Sequence, residues 1–252
     1  HLQELAGEIN RYIDASFAKS RMESIREQEI LAEITNISHD LRTPLTSISG
    51  YLELIGEEEL SPEQKENLDV VQRRTAYLNQ LIAQLYEYSR LENRELPLTQ
   101  ERLDITHLFK EHILASYGEF EKAGLKLTLR LTDEPLWISA DENGLLRIFH
   151  NLTSNCLKYG QKEASISLEC TAGRAVLTFR NHAEGFTEKD AEQIFHRFYR
   201  KDASRNAQGS GLGMSVAKLL AEQMGGRLDA QLEEGMLAIR LLLPCADKSA
   251  DT

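Results

Sequence analysis

Apolar and small side chains recur at Ile30, Ile34, Ile37, Leu41, Pro44, Ile48, Tyr51 and Ile55, the alternating three-and-four spacing of a seam between helices. A second seam follows at Leu68, Val71, Thr75, Leu78, Ile82, Leu85 and Ser89. The first helix is expected to end near Gly56. Beyond an acidic turn, Ser61-Pro62-Glu63 offers an N-cap with proline at the first helical position. Two amphipathic helices joined this way make a hairpin. One hairpin leaves its seam half covered, so pairing two copies into a dimeric four-helix bundle is the economical solution.

Within the first helix lies Ser38-His39-Asp40-Leu41-Arg42-Thr43-Pro44-Leu45. His39 falls between seam positions, on the side away from the partner helix, where its imidazole reaches solvent. An unperturbed imidazole pKa of about 6.5 leaves one ring nitrogen with a free lone pair at neutral pH. Asp40 can accept the proton of the other nitrogen and fix the tautomer, which suits a histidine used as a nucleophile. Taken alone, the pair more readily describes an ordinary surface histidine.

The chain has 252 residues and a formal charge of −11. The acidic balance argues against nucleic acid or an anionic membrane as a general partner, since both recruit clustered positive charge. No apolar run comes near the roughly 18 residues that a membrane span requires, so a soluble piece is expected. Cys156, Cys170 and Cys245 are odd in number and lack metal-site spacing, which fits reduced thiols in a cytosolic compartment. The first residue is His1, not Met, which is expected of a piece of a longer protein whose membrane attachment, if any, precedes it.

Organisation along the chain follows from changes of period. Residues 1–29 read as a lead-in helix that transmits a signal, residues 30–92 as the hairpin, 93–98 as a linker containing Pro97, 99–245 as a mixed domain, and 246–252 as a flexible tail. In the mixed domain, 103–123 reads as a helix and 125–131 alternates as a half-buried strand. Further strands are expected at 136–140, 164–170, 175–181, 228–232 and 236–243, with helices near 141–158, 188–198 and 213–224. This is an α+β domain large enough to bury about 70% of its unfolded surface. Trp137 and the phenylalanines are expected in its core, with Phe195 and Phe198 packing at the base of a polar, lid-like segment at 200–208.

Two clusters in this domain suggest chemistry. Asn151, Asn155 and Lys158 form one polar stripe on the helix, beside the apolar stripe Leu145, Ile148, Leu152 and Cys156. A carboxamide oxygen suits Mg²⁺, which bridges nucleotide phosphates, and a lysine one turn on can meet those phosphates. A solvated helix face is the competing reading, although asparagine is a poor choice for a helix interior. Gly209-Ser210-Gly211-Leu212-Gly213 precedes an apolar-periodic helix, and glycines there let backbone N–H groups approach a phosphate. By itself such a run is more often a flexible turn. The remaining histidines, His107, His112, His150, His182 and His196, form no metal constellation.

Together these segments, in this order, resemble the bacterial sensor histidine kinases of two-component systems, over residues 30 to 243. Ser38 to Leu45 is similar to that family's phosphoacceptor box, Asn151 to Tyr159 to its N box, Ile194 to Arg200 to its F box, and Gly209 to Gly213 to its second glycine box. The resemblance implies a dimeric phosphotransfer hairpin followed by a two-layer α+β sandwich of the Bergerat ATP-binding type. It implies ATP and Mg²⁺ as cofactors, and a response regulator receiver domain as partner. His39 would accept the γ-phosphoryl group, Asp40 would be the base, and Thr43 would position water for dephosphorylating the partner. Asn155 would bind Mg²⁺ with Asn151 alongside. Lys158 and Tyr159 would contact phosphate and ribose or adenine. Gly209, Gly211 and Gly213, with Leu212 among them, would shape the lid over the phosphates.

One departure stands out. The family's first glycine box reads Asp-x-Gly-x-Gly, and Asn181-His182-Ala183-Glu184-Gly185 occupies that place here. Asn181 retains an acceptor oxygen for the adenine amino group but loses charge assistance, a difference of about 1 to 2 kcal/mol and hence about tenfold in affinity. Ala183 for the first glycine is expected to remove backbone freedom. The two departures support a rival reading, a non-catalytic dimeric scaffold with a degenerate nucleotide site. The intact His39, Asp40, Asn151, Asn155 and glycines support the kinase.

Overall fold

A computed structural model describes residues 37, 41, 43–56, 60–201, 210–233 and 235–246. The chain divides into two units, His1–Asn93 and Arg94–Thr252. Among the described residues no helix is long and apolar enough to cross a membrane.

The first unit is a helical hairpin of α1, residues 43–56, and α2, Pro62–Glu92. Pro62 takes the first helical position of α2. Ser61 Oγ accepts from the Gln64 N–H at 3.3 Å while Gln64 Oε1 accepts from the Ser61 N–H at 2.9 Å, a reciprocal cap that fixes where α2 begins. The hairpin carries two stripes. The inner one holds Leu45, Ser49, Leu52 and Gly56 of α1 against Leu68, Gln72, Thr75, Asn79 and Ile82 of α2. Asn79 Nδ2 donates to Ser49 Oγ and Gln72 Nε2 to the Leu52 carbonyl, both at 3.1 Å, and a β-carbon at Gly56 would touch the Leu68 and Gln72 side chains. Leu45, Thr75 and Ile82 are buried.

The seam expected on α1 lies one position to the side of this inner stripe. Ile37, Leu41, Pro44, Ile48, Tyr51 and Ile55 are exposed, Tyr51 by 68%. The expected α2 seam divides, with Thr75 and Ile82 inside and Val71 and Leu78 exposed. The physical reason is that Ser49, Gly56, Gln72 and Asn79 make the intrachain contact close and partly polar, so the strongest apolar periodicity belongs to the outer stripe.

The second unit is an α+β two-layer structure. Its five-stranded sheet runs β2-β4-β5-β7-β6, built from β2 (Lys126–Leu131), β4 (Gln161–Thr171), β5 (Arg174–His182), β6 (Arg227–Glu233) and β7 (Met236–Pro244). Only β2 and β4 are parallel. β1 (Glu101–Asp104) and β3 (Trp137–Ala140) form a separate antiparallel pair. The helices α3 (Ile105–Lys122), α4 (Glu142–Tyr159) and α6 (Gly213–Gln223) pack on the sheet, and a short α5 spans Glu188–Gln193. Register aligns Ile166, Phe179 and Ile239 in one row and Leu168, Leu177 and Leu241 in the next, all buried. Phe109 of α3 joins the layers, meeting Phe149 of α4 edge-on at 5.0 Å and Phe179 of β5 at 5.9 Å between ring centroids.

Two expected helices are shorter than their sequence suggests. The helix read at 103–123 begins only at Ile105, because 101–104 pairs with β3, a four-residue strand too short to show alternation. Asp104 ends that strand and caps α3, its Oδ1 accepting from the Thr106 N–H at 3.0 Å and the Leu136 N–H at 3.2 Å. The helix read at 188–198 stops at Gln193. A tight turn follows, closed by His196 N–H to the Gln193 carbonyl, and Phe198 adopts φ 59°. Phe198, expected to pack at the lid base, is instead 54% exposed.

These contacts rank two substitutions by denaturant titration. Phe109→Ala, which opens the junction of three aromatic rings, should cost about 3–5 kcal/mol. Asp104→Ala, which leaves two N–H groups unmatched, should cost about 1–2 kcal/mol. Equal losses would contradict this ranking.

Candidate functional site

The site is organised by α4. Asp141 caps it, its Oδ1 accepting from the Gly144 N–H at 2.7 Å while its Oδ2 accepts from the Thr99 N–H at 2.9 Å. Leu145, Ile148, Leu152 and Cys156 are buried on the core. Burial pushes the Cys156 thiol up to about 12, so that sulfur stays an inert core group. Asn155 is only 8% exposed, which removes the solvated-face reading for it, and Asn151 is half-buried. A buried carboxamide in mid-helix is costly without a polar partner.

Asn151 marks where α4 meets the glycine box. A β-carbon at Gly213 would stand 2.8 Å from Asn151 Oδ1, so glycine lets the start of α6 come this close without pushing the Asn151 amide aside. That start carries no side-chain cap: Leu212, at the N-cap, is buried and apolar, and its own N–H donates to Ser210 Oγ at 3.1 Å. The first-turn N–H groups of α6, with the positive end of its dipole, are thereby left for something other than a capping side chain. Gly211, at φ 71°, is fixed by a different contact. A β-carbon there would fall 2.7 Å from the Phe198 carbonyl carbon, and the Phe198 N–H donates to the Gly211 carbonyl at 3.1 Å.

The other end of α4 leads to Asn181. The Gly160 N–H closes the helix on the Cys156 carbonyl at 2.7 Å, and a β-carbon at Gly160 would lie 3.5 Å from Asn181 Cβ. Asn181 occupies the sheet row Ala164–Asn181–Leu237 and is 1% exposed. Its Nδ2 donates to the His182 carbonyl at 3.1 Å, while its Oδ1 is buried with no hydrogen-bond partner. Turning the amide over would set oxygen against the His182 carbonyl, so the carbonyl holds the acceptor in place. An acceptor left in this way costs about 1–3 kcal/mol until a donor arrives.

The turn beyond Asn181 is closed by the Phe186 N–H on the Ala183 carbonyl at 3.0 Å, with Gly185 at φ 72°. The expected penalty at Ala183 does not arise. That residue is buried with an ordinary negative φ, so alanine costs the backbone nothing, and glycine's freedom is used at Gly185.

Beside Gly185 lies a polar cluster that the sequence reading missed. Lys201 Nζ sits 3.6 Å from Asp190 Oδ2 and 4.6 Å from the centroid of the Phe186 ring. Asp190 accepts from the Thr187 N–H and hydroxyl, both at 2.7 Å, and from the Tyr199 hydroxyl. The Tyr199 bond, then those of Thr187, hold the Asp190 carboxyl well below the usual carboxylate range, and burial followed by Asp190 pushes Tyr199 up to about 12. The Thr-x-x-Asp spacing of a helix-capping pair was the signal available.

Lys158 and Tyr159 reach solvent at the end of α4. Protein around the Lys158 stem strips part of its hydration, which lowers its pKa. Thr43 is an exposed residue of α1 whose carbonyl accepts from Ser47 Oγ at 3.3 Å. His39, Asp40 and Gly209 lie outside the described residues. Among the described residues no group of three or more His, Cys, Asp or Glu side chains is placed to hold a metal ion.

The glycine contacts make a sharp contrast in thermal stability. Gly211→Ala and Gly213→Ala should each lose about 1–3 kcal/mol through overpacking. Gly118→Ala in mid-α3, where an added β-carbon meets nothing within 4 Å, should gain about 0.5–1 kcal/mol. Gains at all three positions would show that the close approaches are absent.

Comparison with known proteins agrees with this architecture. Residues 30–94 match the model of the His Kinase A (phospho-acceptor) domain, and residues 140–247 that of the histidine kinase-, DNA gyrase B-, and HSP90-like ATPase. The sensor histidine kinase YcbM of Bacillus subtilis is 33% identical over 232 residues, which cover 89% of this chain and 72% of that protein. The sensor histidine kinase WalK of the same organism is 27% identical over 99% of this chain, which spans 42% of WalK. In fold, full-length ShkA in complex with AMPPNP gives a TM-score of 0.74 at 22% identity, over 86% of this chain and 46% of ShkA. The Acinetobacter baumannii histidine kinase AdeS gives 0.60 at 21% identity, over 83% of this chain and 98% of that one. A phospho-acceptor helical region followed by an ATPase domain, each matched by its own model, makes this chain a member of the sensor histidine kinase family, a protein-histidine kinase.

Proposed function

We propose that this protein binds Mg-ATP across α4, phosphorylates itself on His39 as a homodimer, and passes the phosphoryl group to an aspartate on a response regulator receiver domain. The observation that carries the nucleotide part is the buried, unpartnered Asn181 Oδ1 at one end of α4, matched at Asn151 by the uncapped start of α6. A purine amino group supplies the donor that Oδ1 lacks. Phosphate oxygens suit the first-turn N–H groups of α6, whose dipole favours negative charge.

These residues fit the family's cofactor. Asn155, with Asn151 alongside, would hold Mg²⁺ through carboxamide oxygen, and the ion when bound neutralises phosphate charge. Lys158 carries a cation one turn beyond Asn155. Asp40 takes the proton from His39 and holds the tautomer whose free nitrogen attacks, forming a nitrogen–phosphorus bond as the bond to the departing nucleoside diphosphate breaks. Thr43, one turn beyond His39, orients the water that later dephosphorylates the receiver, which gives the protein phosphatase activity as well.

The outer stripe of the hairpin supports the homodimer. Ile37, Leu41, Ile48, Tyr51, Ile55, Val71 and Leu78 are all more than 40% exposed, an apolar strip that a second copy would cover to complete four helices. The scaffold reading rests on Asn181 alone, since Ala183 fits its position without strain.

Two measurements test the proposal. Incubation with γ-labelled ATP should give an acid-labile, base-stable phosphate on the wild type and none on His39→Ala. Label persisting in that variant would assign the phosphate elsewhere. In sedimentation equilibrium, Ile48→Glu combined with Tyr51→Glu should convert the dimer to monomer, and an unchanged mass would move the dimer contact off the outer stripe.

A further inference from the structure

Two of the three cysteines meet at one end of the sheet. β4 and β5 are joined by a tight turn in which Ala172 and Gly173 adopt φ 51° and 73°. Cys170, on β4, pairs with Ala175, which in turn pairs with Leu243 of β7. Cys245 follows two residues after Leu243, so side-chain alternation returns it to the face that Leu243 uses. Its backbone is held from both sides: its N–H donates to the Gly173 carbonyl at 2.9 Å, it bridges to Ile138, and the Ala246 N–H donates to the Trp137 carbonyl at 2.7 Å. The outcome is a Cys170 Sγ to Cys245 Sγ separation of 3.7 Å, which is van der Waals contact between two free thiols.

We propose that Cys170 and Cys245 are a dithiol site that a hydroperoxide converts reversibly to an intrachain disulfide. Cys170 is exposed and meets the oxidant first, whereas Cys245 is half-buried. Burial also pushes the Cys245 thiol up to about 11, which assigns it the resolving role. In the first step Cys170 loses its proton and the thiolate attacks one peroxide oxygen; the oxygen–oxygen bond breaks, and the departing oxygen takes up that proton, so that with hydrogen peroxide the products are a sulfenic acid and one water. In the second step the Cys245 sulfur attacks the sulfenic sulfur. The sulfur–sulfur bond forms as the sulfur–oxygen bond breaks, and the departing hydroxide leaves as a second water with the Cys245 proton. Two thiols lose two electrons, and one peroxide gains them. Cys156, buried within α4, takes no part.

The position fixes the consequence. β5 runs from Arg174 beside the cysteines to His182, next to Asn181, and the six steps from Ala175 to Asn181 are roughly 20 Å at strand rise. The disulfide therefore staples the end of β7 to the β4–β5 turn while leaving the nucleotide residues in place. It makes the ATPase domain harder to unfold under oxidising conditions without altering the chemistry at α4.

The test uses reduced protein exposed to a small excess of hydrogen peroxide, then alkylated under denaturing conditions and weighed. The reduced chain should take three alkyl groups and the oxidised chain one. A Cys170–Cys245 peptide pair should be recovered that dithiothreitol separates, and the oxidised chain should melt several degrees higher. Binding of a non-hydrolysable ATP analogue should change less than twofold. Cys170→Ser should show no intrachain cross-link and take two alkyl groups with or without peroxide. A chain that still takes three groups, a sulfinic acid on Cys170 with Cys245 free, or cross-links only between chains would each overturn the proposal.

Discussion

A β-carbon on residue 213 would crowd the Asn151 amide at 2.8 Å, and the geometry of the candidate site depends on that close approach. Because residue 213 is glycine, the start of α6 closes on the middle of α4, bringing an uncapped helix terminus to a polar stripe whose next member, Asn155, is already out of water. At its far end α4 closes on Gly160, where a β-carbon would strike the helix's own Cys156 carbonyl, and this glycine lies within van der Waals reach of Asn181. A single helix thus spans from a lone buried acceptor to a set of unclaimed N–H groups. The aromatic junction of Phe109, Phe149 and Phe179 holds that helix to the sheet. Stability and site geometry therefore share the same contacts.

The polar groups left over are more telling than the ones that are matched. A fold that places Asn181 in an apolar sheet row could satisfy both ends of its amide, yet it satisfies only Nδ2, on the neighbouring carbonyl. That bond costs Asn181 the ability to turn its amide over and leaves Oδ1 as the acceptor without a partner. Relative to a carboxylate at the same point, the charge is gone but the directionality is kept. Nearby, Asp190 binds Thr187, Tyr199 and Lys201 together, so the chain entering the glycine box is tied at Lys201 as well as at Gly211.

Most of the architecture was legible where periodicity is long or alternation clean. The two hairpin helices, the β2 alternation and the apolar stripes of α4 and α6 all announce themselves. What escaped was short or two-sided. β1 has four residues, and its terminal Asp104 also caps a helix, so it reads as helix. The segment after Gln193 has helical composition but ends in turns, because Phe198 takes a left-handed backbone that composition does not encode. On α1 the apolar period was read correctly and its partner was not: the intrachain contact runs one residue over, through Ser49 and Gly56, leaving the apolar stripe outward. At the candidate site, residue types and spacing pointed to Asn151, Asn155 and the glycines. The absence of strain at Ala183 and the orientation of the Asn181 amide needed coordinates.

The most direct test of the account is the affinity of the protein for Mg-ATP against Mg-inosine triphosphate, measured by calorimetry. The two ligands differ in the purine 6-substituent, an amino donor in one and a carbonyl acceptor in the other. With Asn181 Oδ1 held as an acceptor, ATP should bind at least about tenfold more tightly, the worth of one hydrogen bond exchanged for a repulsion. Equal affinities would contradict the placement of the base against Asn181, and with it the reading of α4 as the spine of a nucleotide site.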